Sequence, residues 1–116
     1  MNSVKIEGKS LIDAGKPIAT FQENILKMEV NSQNEIIVLI NFAKGTKLTS
    51  EQLLNLYKYD ISGNQSWGVS YTNLKKIAPI VDFKITENRL LASDFYGRAF
   101  EIDMKTGVAS MIGVTK

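Results

Sequence analysis

Two carboxylates, Asp94 and Glu101, are the residues of this sequence whose type and spacing suggest acid–base chemistry. A pair of this kind can act as general acid and general base across a sheet. The chain contains no His and no Cys, which excludes an imidazole base, a thiol nucleophile, a Ser-His-Asp triad and the usual zinc ligands. Because no other group supports the pair, we predict that the protein is not an enzyme.

Three short motifs are similar to functional signatures, but each lacks a residue that the chemistry requires. The Gly-Lys-Ser triplet at 8–10 ends like a phosphate-binding loop, yet position 3 is Ser where that loop needs Gly. The Lys-Thr-Gly triplet at 105–107 matches one in β-lactamases, but the chain has no Ser-x-x-Lys. Residues 60–64 lack the alternating ligands and the later Glu of a calcium loop. We therefore expect no cofactor and no metal.

The composition is that of an ordinary globular domain. The chain has 116 residues, of which 44% are hydrophobic and 22% are charged, so one domain with its own core is expected. Lys and Arg total 14 against 12 Asp and Glu. A net charge of +2 is too small to indicate an obligatory nucleic-acid or anionic-membrane partner.

The distribution of apolar residues predicts a soluble cytoplasmic protein. The segment 1–20 is interrupted by charges and contains no apolar run of signal-peptide length. The longest purely apolar stretch, at 36–40, is far shorter than the roughly 20 residues that span a bilayer. The absence of Cys agrees with a reducing compartment.

The alternation of apolar and polar residues predicts strands. Residues 25–30 lead through a polar turn at 31–34 to the apolar run at 36–40, and segment 80–92 repeats this order around a turn at 86–88. Turn-forming residues between two apolar segments are typical of a hairpin.

A comparison of the chain with itself indicates an internal repeat, at about residues 23–71 and 78–115. Asp60 aligns with Asp103, and a turn that contains Gly follows each. We predict a single all-β domain across 1–116, with two antiparallel four-stranded sheets that the segment 1–20 precedes. The alternative is that the regular alternation of any all-β chain produces such self-similarity by chance.

An insertion at residues 43–53 separates two strands of the first copy. Thr49 and Gln52 have the spacing of a capping box ahead of two leucines, which predicts one short helical turn.

The segment from Leu56 to Trp67 resembles a β-propeller blade of the quinoprotein type. In that pattern a strand ends in Asp, a Thr-Gly turn follows, and a later Trp docks against the neighbouring blade. Residues 100–107 keep the Asp-x-x-Thr-Gly spacing but have Met111 in place of the Trp, whereas the first copy keeps the Trp and has a turn one residue shorter. Two blades form only a partial propeller, since a closed ring needs at least about four. A cofactor in a central channel is therefore not implied.

In size, fold class and partial-propeller character, the chain resembles the immunity proteins of contact-dependent growth-inhibition toxin systems. The resemblance implies that the partner is a protein, a cognate bacterial toxin domain that acts in the cytoplasm. Some toxin domains of such systems are RNases or DNases. The resemblance also implies a stoichiometric mechanism, in which the immunity protein binds the toxin and occludes its active site.

The candidate binding residues centre on the stretch 93–98, which joins two predicted strands. Asp94, Tyr96 and Arg98 combine both charges with an aromatic ring, and Tyr and Arg are enriched among binding hot spots. Asp94 would meet a basic group of the partner. The structural alternative is a hairpin in which Asp94 caps the turn and Phe95 is buried.

Two further binding candidates are Glu51, in the insertion, and Tyr71. Tyr71 and Trp67 lie near the lysines at 75–76, a combination that favours a single-stranded nucleic-acid platform as an alternative function. The favoured interpretation of the lysine segment is a solvated linker, and nucleic-acid binding is less favoured. A general protein-interaction β domain is a further alternative for the function of the chain.

Overall fold

The computed structural model describes residues 4–42 and 53–114, and within them every regular element of more than one residue is a β-strand. The strands are β1 (Val4–Glu7), β2 (Ser10–Asp13), β3 (Lys16–Thr20), β4 (Ile25–Val30), β5 (Ile36–Ile40), β6 (Leu56–Tyr59), β7 (Gln65–Gly68), β8 (Ser70–Tyr71), β9 (Ile80–Thr86), β10 (Arg89–Asp94), β11 (Arg98–Ile102) and β12 (Val108–Val114). The predicted all-β class is confirmed. Of the segment 43–53, in which one short helical turn is predicted, residues 43–52 lie outside the described residues.

The strands form three sheets. The N-terminal sheet has the order β1-β2-β3, the middle sheet β4-β5-β6-β7, and the C-terminal sheet β8-β12-β11-β10-β9. All pairs are antiparallel except β8 with β12, which is parallel. The two four-stranded meanders β4–β7 and β9–β12 fall inside the two proposed repeat segments. The segment 1–20, expected only to precede them, instead contributes the third sheet, and β8 adds a fifth strand to the last one.

The middle sheet is packed on both faces, and β5 shows why. All five of its residues are buried. Ile36 and Val38 join the core shared with the N-terminal sheet, while Ile37 and Leu39 join the core shared with the C-terminal sheet. A strand that is covered on both faces is apolar at every position instead of alternating. This packing accounts for the continuous apolar run at 36–40.

Trp67 joins the middle sheet to the C-terminal sheet. Its Nε1 donates a hydrogen bond to the backbone carbonyl of Met104 at 2.9 Å, and its ring packs on Gly107, where a Cβ would lie 2.6 Å from the ring. Only Gly fits at this position, which also has a φ of +80°. The Trp67 side chain therefore docks against the neighbouring sheet.

A partly buried ion pair supports the same contact. Lys58 donates to the Met104 carbonyl at 2.6 Å and forms a 2.7 Å salt bridge with Glu35. The hydrogen bond from Lys58 lowers the pKa of Glu35, and a second one from Asn31 lowers it further. One backbone carbonyl of the C-terminal sheet thus accepts hydrogen bonds from two side chains of the middle sheet.

At the other end of the same two sheets, the buried side chain of Asn55 joins them through hydrogen bonds. Its Nδ2 donates to the carbonyls of Ile40 and Ile80, and its Oδ1 accepts from the Ile80 amide at 2.8 Å. A buried amide that is bonded at both ends fixes the relative position of β5 and β9.

Candidate functional site

The side chain of Asp94 organises the turn between β10 and β11. Its Oδ1 accepts hydrogen bonds from the backbone amides of Tyr96 (3.0 Å) and Arg98 (2.9 Å). The Gly97 amide donates to the Asp94 carbonyl at 3.0 Å, and Gly97 has a φ of +79°. Asp accepts from amides two and four residues ahead, and Gly supplies the left-handed backbone, so the local sequence determines this turn. The capping role expected of Asp94 is confirmed.

The other oxygen of Asp94 is occupied by Arg98. Arg98 Nε and Nη2 each lie 2.7 Å from Asp94 Oδ2, and Nη2 also donates to the carbonyl of Lys76 at 2.9 Å. Asp94 is only 2% exposed. Its carboxylate is therefore inaccessible to a partner protein, and the expectation that it meets a partner's basic group is replaced by a role in positioning Arg98 and the turn.

Tyr71 lies beneath this ion pair. Its ring contacts that of Phe100, with centroids 5.2 Å apart. Burial, with a smaller contribution from the charge of Asp94, raises the pKa of Tyr71 to about 12, and the charge of Arg98 opposes the shift. The hydroxyl is buried and has no hydrogen-bond partner within the described part of the chain. Tyr71 thus supports the turn from inside and does not present its hydroxyl to solvent.

The tip of the turn carries two exposed aromatic side chains. Phe95 is 64% exposed and Tyr96 is 41% exposed, so the expectation that Phe95 is buried is wrong. The Phe95 amide donates to the Pro79 carbonyl at 2.9 Å, which holds the backbone against the start of β9 and directs the side chain outward. The Phe95 ring makes edge contacts with Phe42 and Tyr96, at centroid distances of 6.4 and 6.1 Å.

Two cationic side chains lie against the Tyr96 ring. The Lys76 ammonium lies 5.2 Å from the centre of the Tyr96 ring, and the Arg98 guanidinium lies at the same distance. We call the set of Phe42, Lys76, Phe95, Tyr96 and Arg98 the hairpin surface. Aromatic and Arg side chains at a fixed turn can bind a protein surface or stack on a base.

The structure brings four of the five predicted binding residues together. Tyr96 is exposed at the surface, Arg98 is partly buried behind it, and Asp94 and Tyr71 lie below. Glu51 lies outside the described residues. The sequence reasoning missed Phe42, because its contact with Phe95 joins the end of β5 to a turn that is distant along the chain, and no local pattern reports such a contact.

The carboxylate pair considered for catalysis is not assembled. Glu101 forms a two-point contact with Arg89, with hydrogen bonds of 2.8 and 3.1 Å that lower the pKa of Glu101. Asp94 is bound to Arg98 instead. Each carboxylate therefore neutralises its own arginine. Trp67, considered for stacking on nucleic acid, is buried between sheets.

Neither a membrane-spanning helix nor a metal cluster occurs in residues 4–42 and 53–114. No helix in these residues is long and apolar enough to cross a bilayer. No group of three His, Cys, Asp or Glu side chains in them lies close enough together to hold a metal ion.

Comparison with known proteins gives a family but no relative of known activity. No curated protein and no solved structure matches the chain. Residues 1–114 match the family model described as a domain of unknown function, DUF7957, and the chain therefore belongs to this family.

Proposed function

We propose that this protein is a non-catalytic binding protein that neutralises a cognate bacterial toxin domain in the cytoplasm by covering its active site. The hairpin surface is the contact region in this proposal. The observation that carries it is the exposure of Phe95 and Tyr96 on a turn that Asp94 and Arg98 hold in place. Aromatic side chains on a rigid backbone lose little conformational entropy on binding and often dominate the energy of an interface.

The architecture supports the same proposal. We regard the three sheets as consecutive blades of an open propeller, since β1 contacts β4 and β5 contacts β9, and Trp67 packs between sheets. An open arrangement leaves outer sheet faces and turn tips accessible. A standard interface buries about 1,600 Å² in total, which these surfaces can provide.

The charge of the hairpin surface indicates what the partner presents. Since Asp94 is buried and paired, the charges that remain accessible are those of Lys76 and, in part, Arg98. A carboxylate-bearing patch on the toxin complements them. The metal-binding carboxylates of a nuclease active site are one such patch, and their occlusion would inhibit the enzyme.

The test is co-expression with the product of the adjacent open reading frame, followed by gel filtration and a growth assay. We expect a complex that survives gel filtration and a toxic effect that this protein relieves. Separate elution at micromolar concentration, together with unrelieved toxicity, would contradict the proposal.

Variants then locate the contact. We expect Phe95→Ala and Tyr96→Ala each to weaken binding by about 1–2 kcal/mol, measured by calorimetry. Ile61→Ala is the matched control, because Ile61 follows Asp60 as Phe95 follows Asp94 and is 38% exposed. If the Ile61 variant alone weakens binding, the interface lies at the other end of the sheets.

A second function is favoured by the same exposed rings beside Lys76. A single-stranded nucleic acid could stack on Phe95 and Tyr96 while the lysines contact phosphates. Fluorescence anisotropy with a labelled single-stranded oligonucleotide separates the two proposals. Affinity that falls steeply with salt supports nucleic-acid binding, and negligible binding at low salt excludes it.

A further inference from the structure

A concave region lies between the N-terminal and middle sheets. This cavity of about 240 Å³ is lined by the connection at 20–23 and by residues from β5, β6 and their flanks: Thr20, Phe21, Gln22, Glu23, Ile40, Asn41, Asn55 and Tyr57. Its volume is below the roughly 300–1,000 Å³ of drug-sized sites. It therefore suits a group no larger than one long side chain.

The walls of the cavity are held in place before any ligand enters. The connection that carries Phe21 is fixed at both ends, since the Phe21 amide donates to the Lys9 carbonyl at 2.8 Å and the Ile25 amide donates to the Gly8 carbonyl at 3.0 Å. Asn55 is bonded through both ends of its amide. A ligand consequently meets a preformed site and need not order it.

One side of the cavity is aromatic. The rings of Phe21 and Tyr57 are nearly parallel, with centroids 6.1 Å apart, and Tyr59 meets Phe21 edge-on at 5.5 Å. The faces of such rings carry negative electrostatic potential and attract cations.

The acidic group of the cavity, Glu23, has no partner within residues 4–42 and 53–114. Glu23 is partly buried at the rim, and its carboxylate forms no hydrogen bond or salt bridge with any described residue. Among the described residues that line the cavity, none is Lys or Arg. A partly desolvated carboxylate favours binding of a cation, because the ionic contact compensates for the hydration that the carboxylate has lost.

We propose that this cavity binds a guanidinium group, with Glu23 as the ionic contact and Phe21 and Tyr57 as the stacking wall. A guanidinium is planar, forms two-point contacts with carboxylates and stacks on aromatic rings, which matches this combination better than an ammonium does. The group belongs either to an arginine side chain of a protein or to a free small molecule. The proposal does not depend on the hairpin surface.

The test uses ¹⁵N-labelled protein and backbone-amide NMR. N-acetyl-arginine methylamide should shift the amides of residues 20–23 and 41 with millimolar affinity, whereas the isosteric neutral citrulline derivative should not. Equal shifts with both compounds, or shifts confined to other regions, would overturn the proposal. Agmatine and a short peptide with one internal arginine distinguish the two sources. Tighter binding of agmatine identifies a free small molecule as the ligand, and tighter binding of the peptide identifies an arginine side chain of a protein.

Substitutions complete the test. Glu23→Gln should weaken binding of the blocked arginine by about fivefold or more, and Phe21→Leu should weaken it by removing the ring. Glu87→Gln is the control, because Glu87 is an exposed carboxylate at the β9–β10 turn, away from the cavity. Unchanged affinity in the Glu23 variant, with a native amide spectrum, would contradict the assignment.

Discussion

The turns headed by Asp94 and Asp103 share a backbone design and use it in opposite ways. In both, the Asp Oδ1 accepts hydrogen bonds from amides further along the turn, and a later Gly with positive φ donates its amide to the Asp carbonyl. The Asp103 turn directs its Met104 carbonyl and its Gly107 inward to Trp67. The Asp94 turn directs Phe95 and Tyr96 into solvent. The same hydrogen-bonding pattern therefore packs one turn against a neighbouring sheet and exposes the aromatic side chains of the other turn to solvent.

The difference arises from the residues that surround each Asp. Asp103 is exposed, and its turn is anchored by contacts that the middle sheet makes. Asp94 is buried, and its turn is anchored by its own Arg98. A turn that carries its own anchor does not need a neighbouring sheet to hold it, so its tip is left accessible.

The largest expected effect is that of Asp94→Ala. The substitution removes the cap and leaves the partly buried Arg98 without its counter-ion, which should lower the free energy of unfolding by about 4 kcal/mol. Asp103→Ala removes only a cap and should cost about 1 kcal/mol. Urea unfolding of both variants measures the difference. Equal losses would show that the two turns are anchored alike, and Asp94→Ala/Arg98→Ala should recover part of the loss.

Gly107→Ala tests the inward-facing turn. A Cβ at this position would lie 2.6 Å from the Trp67 ring, and φ is +80°, so we expect a loss of about 2–3 kcal/mol. Gly15→Ala is the control, because Gly15 also has a positive φ of +82° but has no atom within 4 Å of the added Cβ. It should lose only about 1 kcal/mol. Similar losses in urea unfolding would mean that the Trp67 ring moves aside freely.

Tyr71→Phe tests the support beneath the outward-facing turn. The Tyr71 hydroxyl is buried without a partner among the described residues, so its removal should raise the free energy of unfolding by about 1 kcal/mol. Tyr59→Phe is the comparison, since the Tyr59 hydroxyl bonds Gln65 at 3.2 Å near the surface and its loss should change little. A destabilised Tyr71 variant in thermal unfolding would mean that the hydroxyl is hydrogen-bonded in solution.

The smallest expected effect is a pH dependence at the inward-facing turn. The folded-state pKa of Glu35 lies below its ordinary value of 4.5, chiefly because Lys58 donates a hydrogen bond to it. The stabilisation is therefore present above pH 4.5 and is lost as the pH falls through the folded pKa. Urea unfolding at pH 7 and in steps below the ordinary Glu pKa should show this decline in the native protein. Glu35→Gln should remove that part of the decline, and an identical decline in the variant would contradict it.

Local features of the fold were predictable from the sequence. The alternation of 80–86 and 89–94 indicated strands, and Asp94 and Gly97 indicated the turn between them. The apolar run at 36–40 indicated a strand. The third sheet was missed because its strands are short, and Pro17, which suggests a boundary, lies in an edge strand where a missing amide is tolerated.

The candidate site was predictable only in part, for a physical reason. The residue types at 94–98 indicated a binding turn, but not which side chains face outward. Phe95 is exposed because its backbone bonds Pro79, and Asp94 is unavailable because Arg98 folds back on it. Both outcomes depend on contacts between distant or competing groups, which sequence spacing does not report.

The burial of β5 on both faces has a consequence for how the protein unfolds. Loss of the N-terminal sheet would expose Ile36 and Val38, and loss of the C-terminal sheet would expose Ile37 and Leu39. Each face of the strand is thus stabilised by a different neighbour, and neither neighbour can detach without weakening the strand that supports the other. Three sheets joined through one strand should therefore melt together, as a single cooperative unit.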